Sequence, residues 1–272
     1  MSNQTEVPAG DLLLLLAVVL PPVALDHLGE VVDERTLSTP FGGVGPLALR
    51  QMSSGERIWV QPYSGLPSRT DPRATLLAAK KLGVQRVLNW DAGIGINPML
   101  SRGQAMIAVD YIDFTRHQPT TFFTQEGVPA LPQDPPICPQ MTNALFDALA
   151  PLMPIPAGVY VGVDGPRRET AAEARMFRAW GGDVLGQNLV PEISLAGELG
   201  LCYAGLITVE HLSADQAPLP SRGELRQGLG LVLAGLADFV RGLGREVECT
   251  CGSRAGQQER SSLLVSDWQA GS

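Results

Sequence analysis

The stretch DGPRRETAAEARMFRAWGGDVLGQNLVPE, residues 164–192, gathers charged and polar side chains where a strand hands over to a helix. Gly165-Pro166 ends the strand, because Pro has no ladder donor and Gly permits a turn. Arg167, Arg168 and Glu169 follow in the turn; Thr170 caps the helix and Glu173 supplies the capping-box partner. Ala171, Ala174, Met176, Phe177 and Trp180 recur at helical spacing up to Gly181-Gly182. A short strand from Asp183 to Leu185 then runs into Val190-Pro191-Glu192. A strand, a charged turn and a helix N-terminus together make an edge suited to ligand binding.

The elements that must hold this edge alternate along the chain. Strand-like runs occur at 12–20, 57–61, 85–90, 104–110, 158–163, 183–186 and 201–208. Helical patterns occupy 72–82, 138–152, 170–180, 191–199 and 222–243. Strands alternating with helices predict an α/β fold, a mixed sheet with helices on both faces. Residues 115–136, rich in Pro, Thr and Gln, have no period and read as a long surface loop. Residues 1–10 read as disordered, 11–245 as one domain, and 246–272 as a polar C-terminal tail.

At 272 residues, 44% apolar and with a net charge of −8, the chain reads as one globular domain. No run of Lys or Arg makes a phosphate-tracking stripe, so nucleic acid and anionic membranes are not expected partners. The apolar run LLLLLAVVL, Leu12 to Leu20, is far short of the ~20 residues of a membrane helix. Glu6 and Asp11 precede it where a signal peptide carries positive charge, so it reads as a buried first strand of a cytoplasmic protein. The four cysteines, Cys138, Cys202, Cys249 and Cys251, lack C-x-x-C spacing, and no metal site or cofactor is expected. Cys138 and Cys202 read as inert core residues. Cys249 and Cys251 read either as a strained local disulfide or as two free thiols in the tail.

Several segments resemble the trimeric purine nucleoside and 5′-methylthioadenosine phosphorylases over roughly residues 11–245. They are STPFGG (38–43), LGVQRVLNWDAGIGINPMLSRGQAMIAVDYIDF (82–114), PICP (136–139) and GPRRETAAEARMFRAWGGDVLGQNLVPEISLAGELGLCYAGLIT (165–208). The resemblance implies a single-domain nucleoside-phosphorylase-like fold, a homotrimer or dimer of trimers, and a small-molecule nucleoside substrate. It also implies a loop near His117 that approaches a neighbouring subunit's site. The apolar Phe122-Phe123 pair in that loop reads as needing a partner surface.

The chain departs from the family where phosphate binds. Val18 to Pro22 replace the family's glycine-rich loop, Val60, Gln61 and Pro62 its Arg-His motif, and Asn188-Leu189 its Ser or Thr. Proline offers no amide proton to an anion, and a buried dianion without cations is costly. The base site stays polar. By the resemblance His211 falls on the Asp or Asn beside the purine N7, Glu169 on the Glu at the purine edge, Arg168 on an aromatic and Gln187 on the ribose-packing Met. Ser213 stands where methylthioadenosine phosphorylases carry a second Asp.

These replacements suggest a repurposed enzyme without phosphate dependence, with His211 and Glu169 performing acid/base catalysis on a small nucleoside-like or apolar metabolite. Tyr63, Asp91, Trp90, Val60, Pro62, Arg168, Gln187 and Asn188 would form the substrate site around them. The alternatives are a catalytically silent binding or assembly protein and a phosphorylase with an unusual phosphate site. Each key residue also has a structural reading. His211 could be a surface histidine, Glu169 could favour its helix N-terminus by ~0.5 kcal/mol, and the arginines, His117 and His27 could be solvated or structural.

Overall fold

A computed structural model describes residues 10–66, 68–123, 130–216, 223–244 and 246–253. The strands are β1 (Leu12–Ala17), β2 (Glu30–Thr39), β3 (Gly42–Gln51), β4 (Arg57–Pro62), β5 (Arg86–Gly95), β6 (Ala105–Phe114), β7 (Ala157–Val163), β8 (Val184–Gly186) and β9 (Cys202–Leu212). The helices are α1 (Pro72–Lys81), α2 (Pro139–Leu149), α3 (Ala171–Ala179), α4 (Glu192–Glu198) and α5 (Gly223–Gly242). All nine strands join one mixed sheet in the order β2-β3-β4-β1-β5-β8-β7-β6-β9. A further pairing of β5 with β9 closes β5, β8, β7, β6 and β9 into a ring. The expected single-domain α/β architecture is the observed one.

The leucine run becomes β1, buried between β4 and β5 and parallel to both. A continuous apolar run suits a strand covered on both faces. Each such leucine contributes about 1.5–3 kcal/mol through burial. Gly93 lets β5 take part in the ring: a Cβ there would come within 2.4 Å of a Val184 methyl and 2.5 Å of an Ile207 methyl. Asp71 caps α1 by accepting from the Arg73 amide, and Pro72 occupies the first turn, where its missing N–H costs nothing. Thr170 and Glu173 form the expected capping box on α3.

The β2–β3 hairpin is absent from the sequence reading. β2 is a charged, mostly exposed edge strand with no clear apolar alternation, the composition that discourages edge pairing. Two loop expectations are corrected. Phe122 and Phe123 are buried within the chain itself; the Phe122 ring packs edge-on against Phe41 and its amide donates to Glu198, so the pair demands no partner surface. The C-terminal segment 246–253 also packs onto the body: Arg86, almost wholly buried, donates to the carbonyls of Leu243, Gly244 and Glu246, and Cys251 is buried. The expectations for residues 1–9, 124–129 and 254–272 fall outside the described residues.

Candidate active site

A cavity of about 520 Å³ opens at the ends of β6, β7 and β8. Ala92, Ile94, Phe114, Val163, Leu185 and Phe177 supply apolar wall, and Phe114 and Phe177 stack edge to face at 5.1 Å. The charged wall comes from Arg116, His117, Asp164, Arg167, Glu169 and Glu173. This size and mixed lining suit a drug-sized ligand with a flat apolar part and a few polar groups.

Two carboxylates in this wall share one arrangement. Glu169 accepts through Oε1 from the Ala214 amide at 2.9 Å and from Arg168 at 3.2 Å, while its buried Oε2 has no partner. Asp164 accepts through Oδ2 from the Arg116 amide at 2.8 Å and from His117 Nδ1 at 3.0 Å, while its buried Oδ1 has none. Each is anchored through one oxygen and leaves the other for a donor. An unmet buried acceptor costs about 1–3 kcal/mol. Arg167 is committed to Glu173 at 2.5 and 2.8 Å and holds that carboxyl down at about 2. The Arg116 guanidinium lies 5.0 Å over the Phe114 ring of that apolar wall.

Below the cavity is a buried polar hub. Asn188 donates from its side chain to Asp91 and accepts from the Gly65 amide, while its backbone amide donates to the Tyr160 hydroxyl. Its carbonyl accepts from Asn89. Tyr160 also donates to Asp91 at 2.7 Å, and burial raises Asp91 to about 6. Tyr63 donates to Glu192, which burial raises to about 8.

Of the candidate site residues, Glu169, Gln187 and Asn188 line the cavity and the others do not. Trp90 is fully buried, with its indole N–H on Thr208 at 2.9 Å. Val60 is core, Pro62 is exposed, and Tyr63 and Asp91 belong to the buried network beneath. Arg168 is half-exposed and spans to the Leu212 carbonyl at 3.0 Å.

His211 is the main correction. It does not line the cavity with Glu169: it pairs with Ile94 beyond an irregularity in the β5–β9 register and is exposed. Such a bulge offsets the alternation that would otherwise carry a side chain to the expected face. Leu20, Val60 and Pro62 likewise form no part of the wall. Asp164, Arg116 and Glu173 were missed as lining residues. The signal available for Asp164 was its place just before the Gly165-Pro166 strand stop.

Comparison with known proteins agrees with this architecture. The family model of the phosphorylase superfamily matches residues 18–228. The probable 6-oxopurine nucleoside phosphorylase of Moorella thermoacetica is 33% identical over 244 residues, covering 84% of this chain and 92% of that protein. The 6-oxopurine nucleoside phosphorylase of Pyrococcus furiosus is 34% identical over 215 residues, covering 74% and 81%. In fold, a methylthioadenosine phosphorylase from an antarctic soil metagenomic library superposes with a TM-score of 0.79 at 21% identity, covering 94% of this chain and 99% of that one. With its ring of strands and its matched span, the chain belongs to the phosphorylase superfamily, within the purine nucleoside and methylthioadenosine phosphorylase family.

Proposed function

We propose that the protein is a pentosyltransferase that binds a purine-type nucleoside in this cavity and transfers its sugar to phosphate. The observation that carries the reading is Glu169, a buried cavity carboxylate with one anchored oxygen and one unmet acceptor. A purine base edge presents N–H donors to such an acceptor, and Phe114 and Phe177 offer apolar area for the ring. In the reaction the C1′–N9 bond breaks with its electron pair going to the base, and a phosphate oxygen bonds to C1′. The names of the relatives support phosphate as the acceptor.

One observation favours a second acceptor, water. The side-chain amide of Asn188, standing where the family resemblance places a phosphate-binding hydroxyl, is consumed by Asp91. The experiment is release of free base from inosine, guanosine and 5′-methylthioadenosine across a phosphate series. Release that rises with phosphate supports phosphorolysis. Release at one rate with and without phosphate moves the assignment to hydrolysis, and no release from any of them overturns both.

A further inference from the structure

All four cysteines of the chain meet in one place, on the side of the molecule formed by α2 and the C-terminal segment. Cys138 is the N-cap residue of α2, Cys202 opens β9, and Cys249 and Cys251 come from the segment that Arg86 pins. Their sulfurs all lie within 4.8 Å of one another, and those of Cys202 and Cys249 are 3.2 Å apart. Three of the residues are buried and Cys249 is half-buried.

We propose that this cluster is a structural zinc site in which the four sulfurs bind one ion tetrahedrally and fasten the C-terminal segment to the sheet. A Zn–S bond of about 2.3 Å sets the edges of such a tetrahedron at about 3.8 Å, within the spread of this cluster. Two disulfides would need each sulfur near its own partner only; a metal site needs all four mutually close, and they are. The spacing conceals this, because Cys249-x-Cys251 supplies two ligands and two remote elements supply the others.

The surroundings suit thiolates. Zinc binding displaces four thiol protons to solvent and leaves a centre of net charge −2. The N-terminus of the eleven-residue α2 favours negative charge at Cys138. Lys80, which donates to the Leu199 carbonyl at 3.1 Å, lines the same depression as Cys202 and Cys249. Thiolate ligands in a closed tetrahedron select zinc over the hard cations. No position is left open for substrate, so the role is structural.

The test is elemental analysis of full-length protein purified under reducing conditions without chelator. About one zinc per chain is expected, released when a mercurial titrates the thiols. Replacement by Co²⁺ should give intense thiolate-to-cobalt absorption with tetrahedral d–d bands. The Cys249→Ser/Cys251→Ser variant should lose the metal. Should that variant fail to fold, the zinc content and cobalt spectrum of the unaltered chain decide. Disulfide-linked, zinc-free protein by mass spectrometry, reduced protein that takes up neither ion, or a folded double variant that keeps its zinc would each overturn the site.

Discussion

The Tyr63 hydroxyl donates to the Glu192 carboxyl at a point where Glu192 has no exposed surface, joining the end of β4 to the start of α4. Burial raises the Glu192 pKa to about 8, above the 4.5 of a free glutamate. Between those values the unfolded chain releases a proton that the folded chain keeps, so folding stability falls as pH rises from about 4.5 to about 8. Asp91, raised to about 6, acts in the same direction. Glu173 and Asp215, each lowered to about 2, act below this window. Urea midpoints should therefore decline from pH 5 to 8, and Glu192→Gln, which keeps an acceptor for Tyr63, should flatten the decline. A midpoint that climbs across this range would refute the assignment.

Asn188 predicts a stability loss of another kind. Its truncation leaves Asp91 and the Gly65 amide each short of a buried partner. Asn188→Ala should cost roughly 2–6 kcal/mol in urea denaturation, about 1–3 kcal/mol per orphaned group. A loss below half a kilocalorie would show that water satisfies both groups.

Glu169→Gln separates substrate binding from folding. The amide keeps an oxygen for the Ala214 amide but replaces the free carboxylate oxygen with a donor. A charge-assisted hydrogen bond contributes about 1.5–3 kcal/mol, so kcat/KM on the preferred nucleoside should fall by roughly 10- to 100-fold. The unfolding midpoint should stay where it is. Unaltered kcat/KM would leave Glu169 as a helix-terminus charge and nothing more.

How far the fold was legible depended on how much each segment buries. The leucine run of β1 and the capped, periodic α1 and α3 announce themselves locally, through apolar pattern and through Asp71, Thr170 and Glu173. The β2–β3 hairpin does not, because an exposed edge strand needs no apolar period. In the site, Glu169, Gln187 and Asn188 could be placed because an almost gapless match fixes their register. His211 could not, because it lies beyond a register shift that no local pattern in β9 signals. The cysteine cluster was hidden for a related reason: tertiary folding, rather than spacing, brings its ligands together.

The oligomeric state is a proposal from family membership. A homotrimer should appear in light scattering at micromolar concentration as three times the chain mass. Phe122 and Phe123 contribute nothing to this expectation, since both are already buried within the chain, Phe122 against Phe41. Replacing Phe122 by Ala should therefore lower stability, through the roughly 3–5 kcal/mol of a buried aromatic, before it alters association. A monomeric mass for the unaltered chain would reject the trimer.

His211 carries the sharpest contrast between resemblance and geometry. By alignment it takes the position that faces the purine N7, where proton transfer by a positioned side chain is typically worth ~10²–10⁴-fold in rate. In the fold it is exposed on β9 next to Ile94, outside the cavity that Glu169 lines. A proton donor must come within hydrogen-bond reach of the departing base, directly or through one water. From its place in the structure, His211→Ala should change kcat/KM on the preferred nucleoside by less than about threefold, well below the range for lost proton transfer. Its unfolding midpoint should also stay unchanged, as for most exposed substitutions. A hundredfold loss in kcat with KM unaltered would show that β9 moves His211 into the cavity when substrate binds, and would restore it as the acid.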